Sequence, residues 1–169
     1  MKIRTDYVTN SSSSSFILVF DNEKDYQKFC EECNDCNYDE IKEIIISSIS
    51  KTSQLEQKDN AKELLHLYFN KEIYRKYIIS DHFDGYYPLS VPYKDIWNYE
   101  QSDEYKNKLD ELLEKDEEYQ LKLQRIDDAS IVVKMMVWDT NGGLLEWAIR
   151  NGFLESEFSQ YLILCWNVG

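Results

Sequence analysis

Cys30, Cys33 and Cys36 follow one another with two residues between each pair, the spacing with which thiolates can wrap a zinc ion or an iron–sulfur cluster. A fourth ligand would have to come from far along the chain, from Cys165, His66 or His82. The additional cysteine and proline that continue a ferredoxin-type run are missing. Cys30 and Cys33 read first as small apolar residues on one helix face, with Cys36 at its end, so a metal-binding protein using Cys30, Cys33 and Cys36 is kept only as an alternative and no cofactor is assigned. Asp81-His82-Phe83-Asp84-Gly85 brings two carboxylates and an imidazole into one short segment, the groups a divalent cation or a general base would use. Asp and Gly are also ordinary turn residues, and no second carboxylate-rich motif follows nearby. His66 falls between two leucines on a helical stretch, where a structural role is expected. Trp138-Asp139-Thr140-Asn141-Gly142-Gly143 follows a strand-like run and precedes a helix-like one, a setting in which backbone amides can cradle an anion. Asp139 would repel that anion, so the segment reads as a turn and a helix start. No nucleophile elbow, phosphate-binding loop, kinase set or dinucleotide fingerprint is present. No catalytic residue is assigned, and the chain is read as not an enzyme.

The run Ser11-Ser12-Ser13-Ser14-Ser15 stands directly before Phe16-Ile17-Leu18-Val19-Phe20. Serine hydroxyls compete for nearby backbone groups and bury no apolar area, so such a run reads as a leader in front of the first strand. The same residues form a handle for a modifying, processing or recognising enzyme, and the two readings stand side by side. Phosphorylation there would add about 1.5 to 2 negative charges per site. From Arg4-Thr5-Asp6-Tyr7-Val8-Thr9-Asn10 through the serines to Phe16, the N-terminus resembles a signature shared by a scattered group of small bacterial proteins that has no established activity. The resemblance implies a bacterial or phage origin and carries no chemistry.

The 169 residues carry a formal charge of -13, and the acids are densest between Glu100 and Asp128. A field of that sign repels phosphate backbones, which disfavours direct nucleic-acid binding and suits a basic protein partner, including a nucleic-acid-binding enzyme. With 43% hydrophobic and 14% aromatic residues the chain can bury a core and retain aromatic rings for an interface. No segment approaches the roughly 20 apolar residues of a membrane span, and no signal peptide is recognised, so a cytoplasmic protein without a membrane partner is expected.

The elements that must carry these residues follow from periodicity. A buried strand is predicted over Ser15–Phe20, a helix from Glu23 to about Cys33, and a second helix over Asp39–Ser50. Lys51 to Gln57 reads as a polar connection. Ala61, Leu65, Phe69, Ile73 and Tyr77 recur every four residues, beside Leu64 and Tyr68, and predict one amphipathic helix over Lys58–Ile79. Asp81 to Gln101 reads as a long aromatic loop. Ser102 caps a helix to about Arg125, striped by Tyr105, Leu109, Leu112, Tyr119, Leu123 and Ile126 and interrupted at Asp116. A strand over Ser130–Trp138, a short helix over Leu144–Arg150 and a last strand over Ser159–Trp166 complete the chain. The expected fold is α+β: a small sheet of at least three strands, the N-terminal one plus two C-terminal ones, packed with four to five helices. Residues 1–15 form the leader and residues 16–169 a single domain.

A non-enzymatic acidic protein-binding domain is the preferred reading. Immunity proteins and phage-encoded inhibitors of bacterial defence nucleases share its small size, acidity and lack of catalytic motifs. Asp110, Glu114, Glu117 and Glu118, with Tyr86, Tyr87, Trp97 and Tyr99, are the expected partner-binding residues; Ser11, Ser12, Ser13, Ser14 and Ser15 are the expected recognition residues of the alternative.

Overall fold

The apolar run after the serines builds β1 (Ser13–Phe20), whose Ile17, Leu18, Val19 and Phe20 are all buried, so both faces of this half of the strand are covered. The computed structural model describes residues 13–34, 53–85, 91–138 and 159–168. With β2 (Ser53–Leu55), β3 (Ile131–Trp138) and β4 (Leu162–Val168), β1 forms a four-stranded antiparallel sheet in the order β2-β3-β1-β4. The N-terminal strand is therefore central. Its register runs from Ser13 opposite Trp138 to Phe20 opposite Ile131 on one side, and from Ser13 opposite Val168 to Leu18 opposite Leu162 on the other, with an irregularity between Ile17 and Leu18.

The fold is α+β, and the N-terminal strand pairs with both C-terminal strands as the sequence predicts. Three details differ. β1 begins at Ser13, so Ser13, Ser14 and Ser15 have their backbones paired on both sides instead of leading up to the sheet. β2 lies inside the stretch read as a polar connection; it has three residues, Leu55 is exposed, and no alternation can show at that length. β4 starts at Leu162, because residues 159–161 form a turn.

α1 (Glu23–Asn34) starts as expected after Asn22, whose Oδ1 accepts from the Asp25 amide at 2.9 Å. Phe29 is buried on this helix and its ring lies 5.2 Å from that of Phe20, which also meets Tyr26 and Tyr161 at 5.4 and 4.8 Å. The helices predicted over 39–50 and 144–150 lie outside the described residues.

The chain divides into two compact units, residues 57–128 and the flanking segments 1–56 and 129–169. No glycine or proline marks either crossing, so the pattern of turn residues does not show the division. β2 and β3 are antiparallel neighbours, and the Glu56 amide still donates to the Val132 carbonyl at 2.9 Å. Residues 57–128 are thus an insertion between two paired strands. The insertion's own ends are tied together, since Lys58 Nζ donates to the Asp127 carbonyl at 2.6 Å and Lys62 pairs with the Asp127 carboxylate.

Within this helical unit, α2 (Lys58–Tyr68) passes into a π-helical stretch, Phe69–Tyr74, and then α3 (Arg75–His82). The π turn holds one residue more than an α turn would. Ala61, Leu65 and Phe69 are buried as the four-residue period predicts, but the next two members of the series, Ile73 and Tyr77, are 39% and 59% exposed. The buried series resumes one position later, with Tyr74 partly covered and Ile78 and Ile79 fully buried. The period-four expectation fails at Ile73 because the π turn advances the phase by one residue.

Two further corrections concern helices. Tyr93–Glu100, read as loop, is a helix, α4, started by Pro92, whose carbonyl accepts from Asp95 and Ile96; Ile96 and Tyr99 form its buried side. The predicted Ser102–Arg125 helix is two, α5 (Asp103–Lys115) and α6 (Glu117–Asp128). Ser102 Oγ accepts from the Tyr105 amide at 3.2 Å, as a cap should. Asp116 adopts an extended conformation at the end of α5, and its Oδ1 accepts from the Tyr119 amide at 2.8 Å, so the residue that interrupts the stripe caps the second helix. Within α5 the buried side runs Tyr105, Leu109, Leu113 in steps of four, so Leu113 takes the buried position that Leu112 was expected to hold.

Candidate functional site

A cavity of about 400 Å³ opens on the helical unit. The end of α2 and the π turn supply His66 and Asn70, the end of α4 supplies Glu100, and α5 supplies Tyr105, Lys106, Leu109 and Asp110. Polar contacts fix its wall. The Tyr105 hydroxyl donates to Asn70 Oδ1 at 2.5 Å, and Glu100 is held by Arg75 through Nε. Tyr105 and Leu109 are buried, so the Tyr105 ring and the Leu109 side chain form its floor. Asp110 is exposed at the edge, and among the described residues it forms no ion pair. Its charge is nevertheless felt within the unit: burial first, then the Asp110 carboxylate, push the Tyr119 hydroxyl above the ordinary tyrosine range.

The π turn carries Asn70, which lines the cavity, and Tyr74, whose hydroxyl donates to Asp116 Oδ2 at 2.5 Å. Burial, followed by this hydrogen bond, pushes the Tyr74 pKa up to about 12. Single π turns occur often at functional sites, because they re-aim side chains that an α-helix would place elsewhere.

Two surface tracks lead to the cavity. On α4, Tyr93, Trp97 and Glu100 are spaced i, i+4, i+7 and share a face. Tyr93 and Trp97 are 75% and 51% exposed, and Glu100 ends the face at the cavity wall. On α5, Asp110 at the rim is followed one turn later by exposed Glu114, and exposed Glu117 opens α6. Glu118 is also exposed, but it is engaged by Lys122 at 2.8 Å. Lys115 is drawn instead to Glu111, at 2.5 Å, a contact that holds the Glu111 carboxyl below the usual range.

Of the expected partner-binding residues, the acids Asp110, Glu114, Glu117 and Glu118 and the indole of Trp97 are on the surface. Tyr99 is a correction: it is 7% exposed, stacked on the His82 ring at 3.5 Å, and belongs to the interior because Ile96 and Tyr99 form the buried side of α4. Tyr86 and Tyr87 lie outside the described residues, as do Ser11, Ser12, Cys36 and Asp139–Gly143. Cys30 is a half-buried free thiol, and the side chain of Cys33 lies outside the described residues. His82 Nδ1 lies 3.2 Å from Glu104, and Asp81 pairs with Lys108, so the Asp81–Gly85 carboxylates do not converge on one point. Among the described residues no group of three or more His, Cys, Asp and Glu is placed to hold a metal ion. No helix among them is long and apolar enough to cross a membrane.

Sequence reasoning missed the cavity. His66 was read as structural, and Asn70, Glu100 and Lys106 carry no motif. The one available signal was the i, i+4, i+7 spacing of Tyr93, Trp97 and Glu100, hidden by reading their segment as a loop. Comparison of the chain with protein-family models, with curated proteins and with solved structures finds no match.

Proposed function

We propose that this chain is a non-enzymatic protein-binding protein that engages a basic partner through its helical unit. The observation that carries the reading is the pairing of an exposed aromatic face on α4 with the exposed acids Asp110, Glu114 and Glu117 of α5 and α6. Tryptophan and tyrosine dominate the energetics of protein interfaces, and exposed carboxylates steer a cationic partner toward them. The overall charge of -13 supports the same sign of partner. A nucleic-acid-binding enzyme has a groove built to receive phosphates, and an acidic ridge fits that field. An inhibitor or immunity role in the bacterial cytoplasm is the specific form we favour, with no direct contact to nucleic acid or membrane.

The processing alternative draws less support. Ser13, Ser14 and Ser15 are backbone-paired on both sides, so a protease would first have to pull the central strand from the sheet. The test of the preferred reading is reversal of Asp110, Glu114, Glu117 and Glu118 to lysine, with affinity capture from the native host by both versions. The wild-type chain should retain a basic protein that the reversed chain loses, with unchanged circular dichroism. Equal retention would remove the proposal.

A further inference from the structure

We infer that the cavity between α2, the π turn, α4 and α5 is an anchoring pocket for one arginine side chain of the basic partner. The inference rests on the proposed protein-binding reading and adds the point of contact. Asp110 and Glu100 bring carboxylates to the cavity from two different helices. Glu100 accepts from the Nε of Arg75, which fixes its carboxylate in the cavity wall. Asp110 is the group still without a counter-ion among the described residues, and it stands at the mouth. Below it, buried Leu109 and the Tyr105 ring offer an apolar floor for the three methylenes of an arginine stem. Trp97, one turn before Glu100 on the same face of α4, offers an exposed indole to the cation on its way in. About 400 Å³ is ample for one guanidinopropyl group and too small for a folded segment.

Lys106 is the one lining cation, and it does not close the site. Its side chain is 60% exposed and leans toward Asp103, 3.9 Å away, so its charge stays in solvent. A pocket with one free carboxylate and a polar, prepositioned wall binds a single charged side chain weakly. Such a contact acts as an anchor within a larger interface and gives little affinity alone.

The test uses the full chain labelled with ¹⁵N and the peptide Ac-Gly-Arg-Gly-NH₂ as probe, with Ac-Gly-Ala-Gly-NH₂ as control. The arginine peptide should give saturable shifts at the Asn70 side-chain amide and the Trp97 indole, with a dissociation constant on the order of millimolar. Asp110→Asn should weaken it about tenfold, the loss of one charge-assisted contact, and Lys106→Met, which removes a like charge from the pocket lining, should tighten it. Absence of saturable shifts, equal binding by D110N, or weaker binding by K106M (the signature of an anionic or zwitterionic ligand) would each overturn the pocket. The partner captured from the host separates the two levels of the proposal. If reversal of Glu114, Glu117 and Glu118 abolishes its binding while D110N does not alter it, the pocket assignment fails and the interface stands. If neither change matters, the interface reading itself fails.

Discussion

The sheet unit and the helical unit are held together in opposite ways. In the sheet, β1 at the start of the chain is fixed between β3 and β4 near its end, so its strand pairing joins residues distant in sequence. In the helical unit, local signals start the helices, with Ser102 and Asp116 capping consecutive ones, and only the ends are closed at long range, by Lys62 and Lys58 onto Asp127. The sheet unit puts Ile17 to Phe20 into a core covered on both faces, whereas the helical unit leaves aromatic rings and carboxylates outside. The contrast leaves the exposed aromatic and acidic groups of α4, α5 and α6 on the helical unit, which is where the proposed recognition would fall. A locally closed insertion can also carry a surface that changes without disturbing the pairing of β2 with β3.

The largest effects come from each core. Phe20→Ala and Phe69→Ala each remove a fully buried ring, at a cost of about 3–5 kcal/mol. If the units are separately cooperative, hydrogen exchange of the first variant will rise in residues 13–20 and 131–138, and that of the second in residues 58–128. Equal loss of protection throughout in both variants would merge the two units into one. Next in size is a pair of deletions. Removing Ile73 from the π turn takes out the extra residue and leaves the buried phase of Ile78 and Ile79 intact. Removing Glu63 from α2 throws Leu65 and Phe69 out of phase with Ala61. Thermal unfolding should show the first deletion folded and the second without the helical transition.

A smaller effect is expected at the junction of α5 and α6. Asp116→Ala loses a cap and the acceptor of the Tyr74 hydroxyl, about 1–3 kcal/mol in all; Ser102→Ala loses a cap alone, about 1 kcal/mol. Urea midpoints at constant slope would measure both. The smallest effect is a pH dependence. The folded pKa of Tyr74, about 12, lies above the ordinary value of 10.0, so the unfolded chain releases this proton first as pH rises. The stabilising contribution is complete below pH 10 and is lost as the pH climbs toward 12. Tyr74→Phe should flatten the fall in stability across that window relative to wild type, and identical slopes would contradict it.

The parts legible in the sequence are those with a short-range cause. The Val- and Ile-rich strand residues, the Asn22 and Ser102 caps and the first half of the Lys58–His82 stripe follow from local pattern. Ile73 and Tyr77 could not be placed, because a π turn leaves no mark in residue spacing. β2 was hidden by its brevity, and α4 by the aromatic and proline content around it. Asp116 was noticed as a break, yet its role as a cap needed the extended backbone that follows α5. The cavity was illegible for a different reason: His66 with Asn70, Glu100 and Asp110 come from three stretches of chain, and no single window contains them. The exposed acids were legible as charge, but not their relation to Trp97.

Hydrogen exchange of the full chain, with and without the partner captured from the host, separates recognition from scaffolding in one experiment. Protection on binding should concentrate in residues 93–118, across α4, α5 and the start of α6, and leave residues 13–20 and 131–138 as they were. Protection that falls on the strands while residues 93–118 exchange unchanged would contradict the assignment of binding to the helical unit.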